Sequence, residues 1–295
     1  MLKVYFKILL FCLPAIAIVT VVGKKYSKGF IDYNYAKITG KGNSLIIGTS
    51  RSSQGLQPDT VIKGTKYAHP MLNFAMSSYD SPFSEDYFKA ICAKISNETT
   101  NGLFVVEIDP YAFCSDGKAE SKTLKNILLF NTNPNYEYLF KNINPFYKLI
   151  ERNNTHFESS TQHTNGWLEI TLPMDSANVK NRSNIKINIA LENIKNYKIS
   201  DERINYFKKT IHFLQQHGTV VLLRLPAHEK MIEMENKYFS KLFNQLEKLI
   251  KNEKLKYFDF SSSNKKYQYV DANHLYKKDA LSFSTELNTI IKSLP

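Results

Sequence analysis

The stretch Ser44-Leu-Ile-Ile-Gly-Thr-Ser50-Arg51 predicts a buried β-strand that runs into a glycine-containing turn and ends on a serine. Similar apolar stretches follow at 71–76, 103–108, 220–225 and 257–260. Helical patterns separate several of them, and short apolar strands that alternate with helices are typical of a parallel sheet covered on both faces. The chain therefore predicts an α/β fold with a mainly parallel sheet.

Amphipathic helices are predicted where apolar residues recur at helical spacing. These predicted helices cover 85–95, 200–217, 231–249 and 280–291. Ser200 is the expected N-cap of the second one, because its hydroxyl can accept a hydrogen bond from an unpaired backbone N–H, and Gly218 is its expected stop. The last predicted helix closes the chain.

A second informative motif lies near the C-terminus, where Asp271 precedes His274 by three residues. A serine hydroxyl becomes a strong nucleophile when an imidazole takes its proton and a carboxylate holds that imidazole in the right tautomer. The Asp-x-x-His spacing lets the carboxylate fold back onto its own histidine within one loop. Ser50, His274 and Asp271 are therefore the candidate nucleophile, base and orienting acid of a catalytic triad.

Each member of this triad also has a simpler structural interpretation. A serine after a strand is often only the N-cap of the next helix. An aspartate in a loop often makes an Asx turn, and a partly buried histidine often does no more than form a hydrogen bond. The presence of both motifs in one chain favours a real site over separate structural roles.

The alternation of strands and helices weakens between about 115 and 200. Apolar clusters at 127–130 and 146–150 indicate helices packed on the sheet, and the single tryptophan, Trp167, lies in the same segment. We interpret this segment as an insertion over the catalytic face of the domain. An insertion at that place is where substrate choice is expected to reside.

The first 25 residues predict a membrane anchor. Lysines precede an apolar run over 8–22, which Gly23-Lys24-Lys25 ends, and the run reaches spanning length when residues 4–6 are included. A cleaved signal peptide is the alternative, although small residues are poorly placed for cleavage. We expect an uncleaved anchor at 1–25 and export of residues 26–295 as one domain.

The chain has 295 residues and a net charge of +12, which comes mostly from dispersed lysines. Nucleic-acid binding is not expected, because the sequence has no concentrated basic patch with interleaved aromatic residues. Dispersed lysines suit an anionic neighbourhood such as a membrane surface or an acidic polysaccharide, and a lysine-rich coding bias is the alternative. Cys92 and Cys114 form either a disulfide or buried free thiols. No Cys/His cluster has metal-ligand spacing, so no metal is expected.

The order of these motifs resembles the SGNH, or GDSL, hydrolase superfamily. Within it, the chain is most similar to membrane-anchored proteins that act with membrane-bound O-acyltransferases in bacterial envelopes. The resemblance rests on Gly48-Thr49-Ser50, the alternating units and the terminal Asp-x-x-His, with Arg51 and Arg224-Leu-Pro226 as further similar features. It implies a three-layer α/β/α fold, the triad named above and no metal or organic cofactor.

The resemblance also implies an oxyanion hole. This chain lacks the family's Gly-x-Asn-Asp block and has Glu107-Ile-Asp109-Pro110 at the corresponding strand end. The donors that remain are backbone N–H groups near Ser50 and the side chain of Asn73. Removal of one such donor commonly costs about 2.7 to 4 kcal/mol of transition-state stabilisation, so their identity matters.

Three further residues are candidate contacts in the site. Arg51 is expected at its mouth, where it binds an anionic acceptor or makes a surface salt bridge. Asp109 either lines the cleft or is only the turn residue before Pro110. His228 follows a strand end and is a candidate substrate contact.

Together these features predict an exported acyltransferase or esterase of the bacterial inner membrane, with a single span and its main domain in the periplasm. Its expected substrate is a cell-envelope polysaccharide or glycan, with acetyl as the first candidate acyl group. Its expected partner is a membrane-bound O-acyltransferase. The alternative is a noncatalytic protein that binds polysaccharide or joins a membrane assembly, and a plain secreted esterase is a third alternative.

Overall fold

A computed structural model describes residues 2–26, 34–78, 80–117, 123–142 and 159–295 of the chain. Its strands are, in chain order, β1 (Ser44–Ile47), β2 (Met71–Asn73), β3 (Gly102–Glu107), β4 (Cys114–Ser115), β5 (Ser160–Gln162), β6 (Leu168–Ile170), β7 (Lys198–Ile199), β8 (Gly218–Arg224) and β9 (Lys256–Asp259). Its α-helices are α1 (Leu2–Tyr26), α2 (Tyr35–Thr39), α3 (Ser50–Gly55), α4 (Pro58–Ile62), α5 (Glu85–Lys94), α6 (Tyr136–Asn142), α7 (Ser176–Ile194), α8 (Asp201–Gln215), α9 (Glu229–Tyr238), α10 (Ser240–Asn252) and α11 (Lys277–Lys292).

Five of the strands form one sheet in the order β2-β1-β3-β8-β9, and every neighbouring pair in it is parallel. The predicted α/β fold with a mainly parallel sheet is therefore confirmed. The predicted strand at 71–76 is shorter than expected, because β2 ends at Asn73, whose side-chain oxygen accepts a hydrogen bond from the N–H of Ala75 at 3.1 Å.

Side chains of the central strands alternate between two hydrophobic cores. In β3, Phe104 and Val106 belong to the core that includes helices α5 and α8, whereas Leu103 and Val105 belong to the core that includes α4 and α11. Successive residues of a strand point to opposite faces, so a strand buried on both sides has no polar position in its interior. This burial explains why the strands appear in the sequence as continuous apolar runs.

The single helix predicted over 231–249 is wrong, because two helices, α9 and α10, occupy this region. They are separated at Phe239, whose φ of −107° and ψ of 18° interrupt the helical path. The ring of Phe239 is buried and packs against Tyr111 with 5.3 Å between ring centroids. Tyr238, the last residue of α9, is 52% exposed.

The helix predicted at the apolar cluster 127–130 is also wrong, because turns and irregular backbone occupy these residues. The N–H groups of Leu128 and Leu129 donate to the carboxylate of Glu137 at 3.0 and 3.3 Å, and their side chains are exposed. Asn126 and Asn131 flank the cluster with φ of +57° and +70°, which a helix does not allow. The cluster 146–150 lies outside the described residues.

The segment between about 115 and 200 starts and ends at an antiparallel pair, in which Cys114 of β4 lies opposite Ile199 of β7. Within it are α6, the antiparallel hairpin of β5 and β6, and α7. β4 and β7 therefore hold the two ends of the segment together.

The hairpin of β5 and β6 is joined to β2, the edge strand of the main sheet, and to α3. Asn73 donates its N–H to the carbonyl of Asn165 at 2.8 Å, and the indole N–H of Trp167 donates to the carbonyl of Gln54 at the same distance. Gly166 lies between them with φ of +85°, where a Cβ would come 2.1 Å from the carbonyl oxygen of Asn73. Only glycine allows this close approach.

The apolar N-terminal segment forms the helix α1. The stretch Lys3–Val21 is long and apolar enough to cross a membrane, a criterion that a signal sequence also meets. The two alternatives for Cys92 and Cys114 are resolved as free thiols, with Cys114 buried and Cys92 partly exposed.

Candidate active site

Ser50 is the first residue of α3, directly after β1. The N-cap of this helix is Thr49, whose side-chain oxygen accepts a hydrogen bond from the N–H of Arg51, so the interpretation of Ser50 as the cap is wrong. In the sheet, β2 lies on one side of β1 and β3 lies on the other. The strand order therefore reverses between β1 and β3. Ligands of open α/β sheets bind at such a reversal of strand order, outside the carboxyl ends of the strands. Ser50 lies at this point.

The three residues predicted as a triad lie within hydrogen-bonding distance of one another. Ser50 Oγ lies 2.8 Å from His274 Nε2, and His274 Nδ1 lies 2.9 Å from Asp271 Oδ2. Asp271 Oδ1 also accepts the N–H groups of Asn273 and His274 at 2.7 and 2.9 Å. The Asx turn and the triad are therefore not alternatives, because one carboxylate makes the turn with one oxygen and orients the imidazole with the other.

The electrostatics of the loop keep Asp271 ionised. Burial alone would raise the pKa of this carboxyl group, but the charge of His274, its hydrogen bond and the N–H of Asn273 lower the pKa well below the usual value. A carboxylate with these partners stabilises a positive charge on the imidazole. His274 can therefore hold a proton taken from Ser50.

Arg51 is 2% exposed and points into the protein, so both of its predicted positions, at the mouth of the site and in a surface salt bridge, are wrong. Its guanidinium forms an ion pair with the buried carboxylate of Glu235 and donates from Nε to Asn273 Oδ1 at 2.7 Å. Burial would lower the pKa of Arg51, but the negative charges of Glu235 and Asp109 raise it. Arg51 thus ties α3 to the loop that carries His274, and it is a positioning residue.

Glu235 is shared by two arginines, because its carboxylate also lies 3.3 Å from the guanidinium of Arg224. We expect Glu235→Gln to lower the free energy of unfolding by about 3 to 5 kcal/mol, because removal of one partner leaves buried charges uncompensated. Urea unfolding followed by circular dichroism measures the change. Glu233→Gln, an exposed position of the same helix, is the matched control. Equal stability of the two variants would contradict a buried charge network.

The turn before Ser50 rests on two acids at the end of β3. Glu107 Oε2 accepts the N–H of Thr49 at 2.7 Å, and Asp109 Oδ2 accepts the Thr49 hydroxyl at 2.8 Å. A Cβ on Gly48 would come 2.3 Å from Glu107 Oε2, so glycine is required for this approach. Burial, and then the charge of Asp109, raise the pKa of Glu107. Glu107 was not predicted as part of the site. Its signal in the sequence is that it is the one acid inside the apolar stretch 103–108.

Both expectations for Asp109 hold at once. Its Oδ1 accepts the N–H of Tyr111 at the turn after Pro110, and the residue also lines the cavity in front of Ser50. Its Oδ2 lies 3.9 Å from Arg51 Nε, so its charge is compensated within the protein.

Asn73 is not placed to stabilise an oxyanion. Its side-chain NH₂ donates to the carbonyl oxygens of Ser52 and Leu56 at 2.8 and 2.9 Å, which uses both of its hydrogens. The expectation for Asn73 is therefore wrong, because the amide joins β2 to α3 instead. Ser50 N–H is in the first turn of α3, where backbone donors lack intrahelical acceptors, and it has no acceptor in the described part of the chain. It is the remaining candidate donor.

His228 does not line the cavity in front of Ser50, so the expectation of a substrate contact is not supported by its position. Its side chain caps α9, where Nδ1 accepts the N–H of Lys230 at 3.3 Å, and its own N–H donates to Ala272 O at 3.0 Å. His228 thus orders the start of α9 and supports the catalytic loop through its backbone.

A cavity of about 90 Å³ opens on Ser50. One wall is α7, which contributes the cavity-lining residues Lys186, Ile189, Ala190 and Asn193. Ile189, Ala190 and Asn193 follow Lys186 by three, four and seven residues, so the four side chains share one face of the helix. These four residues were not predicted as part of the site, because the alternation of strands and helices is weakest in this segment of the sequence.

In the described ranges, no group of three or more His, Cys, Asp or Glu side chains is placed to hold a metal ion. Compared with known proteins, the chain is matched by no family model, no curated protein and no solved structure.

Proposed function

We propose that this protein is a serine-dependent acyltransferase or esterase of the SGNH-like class, with a three-layer α/β/α fold. The observation that carries the proposal is the continuous chain of hydrogen bonds from Ser50 through His274 to Asp271. A membrane anchor formed by α1 would place the remaining domain in the periplasm, where the acceptor is a cell-envelope polysaccharide or glycan.

The reaction follows from the positions of these groups. Ser50 Oγ attacks the acyl carbonyl carbon while His274 Nε2 takes the hydroxyl proton. The tetrahedral intermediate collapses to an ester on Ser50, and the departing alcohol receives the proton from His274. A hydroxyl group of the acceptor, or water, then attacks this ester and gives its proton to His274. The bond to Ser50 Oγ breaks, Ser50 Oγ takes the proton back from His274, and the ester or acid is released. Asp271 stabilises the charged imidazole in both steps.

The cavity supports a short acyl group. Its volume of about 90 Å³ is well below the roughly 300 to 1,000 Å³ of pockets that hold drug-sized ligands. This small volume favours a short acyl group such as acetyl over a long acyl chain. A membrane-bound O-acyltransferase is the proposed partner, because it would deliver such a group to the exported domain.

The full-length protein in detergent, treated with a fluorophosphonate and analysed by mass spectrometry, tests the nucleophile. We expect one adduct on Ser50, and loss of most labelling in His274→Ala, because the hydroxyl then has no base. His228→Ala, which leaves the Ser50–His274 contact intact, is the control and is expected to label normally. A folded protein that does not label, or that labels equally with His274→Ala, would count against the proposal.

A noncatalytic glycan-binding protein is the second candidate. Both side-chain amide hydrogens of Asn73 bond to backbone carbonyls. The N–H of Ser50 is then the one oxyanion donor identified within the described residues, and a site with few such donors favours binding over catalysis. Glycan binding by the Ser50→Ala/His274→Ala variant, together with no turnover by the wild type, would support this candidate.

A further inference from the structure

Among the described residues that line the cavity, Lys186 is the one with a cationic side chain. This residue is partly buried on α7, and its ammonium has neither an ion pair nor a hydrogen bond within the described residues. Its charge acts on the catalytic loop, because it is one of the groups that lower the pKa of Asp271. An ammonium without a partner in the protein can form a charge-assisted hydrogen bond with an anionic group that enters the cavity.

The acidic groups around the cavity already have partners. Asp271 is held by His274, Asp109 lies near Arg51 and accepts the Thr49 hydroxyl, and Glu235 is shared by two arginines. Lys186 therefore has no competing carboxylate within salt-bridge distance in the described ranges. Its positive charge is available to a ligand.

Two neutral polar side chains line the cavity together with Lys186. Asn193 shares the helix face of Lys186, and Ser78 is a further lining residue. Neither side chain has a hydrogen-bond partner within the described part of the chain. The cavity thus combines a nucleophile, one cation and donor groups, an arrangement that suits an oxyanion close to the reacting atoms.

We infer that the acceptor carries an anionic oxygen group, a carboxylate or a phosphate, near the hydroxyl that is acylated, and that Lys186 binds this group. The inference rests on the proposed function and narrows its acceptor to an acidic sugar unit. Lys186 then decides specificity, because a neutral sugar leaves its ammonium unpaired.

Acetyl transfer from p-nitrophenyl acetate to three acceptors tests the inference, using the full-length protein in detergent. The acceptors are glucose, glucuronate and glucose 6-phosphate, so that carboxylate and phosphate are compared with a neutral sugar. We expect the wild type to acetylate at least one charged acceptor with a higher kcat/KM than glucose. Lys186→Met is expected to lower the charged-to-neutral ratio by about 10- to 100-fold, because hydrogen bonds to charged groups are worth about 1.5 to 3 kcal/mol. Lys186→Arg should retain most of the ratio.

Lys180→Met is the matched control, because Lys180 is exposed on the same helix, is absent from the cavity wall and carries the same charge. We expect it to leave the ratio unchanged. An equal fall of the charged-to-neutral ratio in both lysine variants, or a wild type that prefers glucose, would overturn the inference. The proposed function would still be upheld in that case by fluorophosphonate labelling at Ser50.

If the wild type acetylates no acceptor, the binding of the charged sugars tests the inference without a reaction. Titration of Ser50→Ala with glucuronate and glucose 6-phosphate, followed by calorimetry, is then compared with Ser50→Ala/Lys186→Met. Binding that is lost with Lys186 supports the anion site, and binding that is absent or unaffected refutes it.

Discussion

Ser50→Ala is expected to lower kcat for hydrolysis of p-nitrophenyl acetate by about 10⁴- to 10⁶-fold, the largest effect of any single change in this protein. Alanine removes the atom proposed to form the acyl-enzyme but no other side-chain hydrogen bond, because among the described residues the hydroxyl of Ser50 bonds to His274 alone. The protein should therefore fold normally. Stopped-flow release of p-nitrophenol, with circular dichroism as a check of folding, measures the loss.

Ser282→Ala is the control for this experiment, because Ser282 lies exposed on α11 and its hydroxyl bonds only to a carbonyl of its own helix. It should hydrolyse the ester at the wild-type rate. If folded Ser50→Ala retained more than a tenth of the activity, another residue would be the nucleophile.

Asp271→Asn should reduce the same rate constant by about 10⁴-fold, although the change is nearly isosteric. The remaining side-chain oxygen can still accept the N–H groups of Asn273 and His274, so the Asx turn survives. The new NH₂ then faces His274 Nδ1, which must become an acceptor. The proton moves to Nε2, and the imidazole can no longer take the proton of Ser50.

Asp201→Asn, an exposed position at the start of α8, makes the same chemical change away from the site. Its rate should equal that of the wild type, whereas the rate of Asp271→Asn should not recover between pH 6 and 9. Activity of Asp271→Asn within tenfold of the wild type would show that the carboxylate only makes the turn.

Several features of this protein could be predicted from local sequence. The apolar runs at β1 and β3 needed no distant information, because the interior positions of strands buried on both faces are apolar. The link between Asp271 and His274 was also local, since a carboxylate three residues before an imidazole can reach it within one loop. The break between α9 and α10 was missed because the apolar spacing continues across Phe239, whose conformation depends on its packing against Tyr111.

The sequence by itself determined the five strands of the main sheet, the helices α5, α8 and α11, and the identity of three polar groups suited to acyl transfer. Only the tertiary structure decided how polar side chains are used when their partners are far away in the chain. Arg51 is buried because Glu235 lies beside it, and the hydrogens of Asn73 bond to carbonyls of α3. The wall containing Lys186 is a single helix face above Ser50. A buried polar group must bond to whichever partner lies beside it in the folded protein, because burial removes its bonds to water. Residue type and spacing along the chain do not show which partner that is.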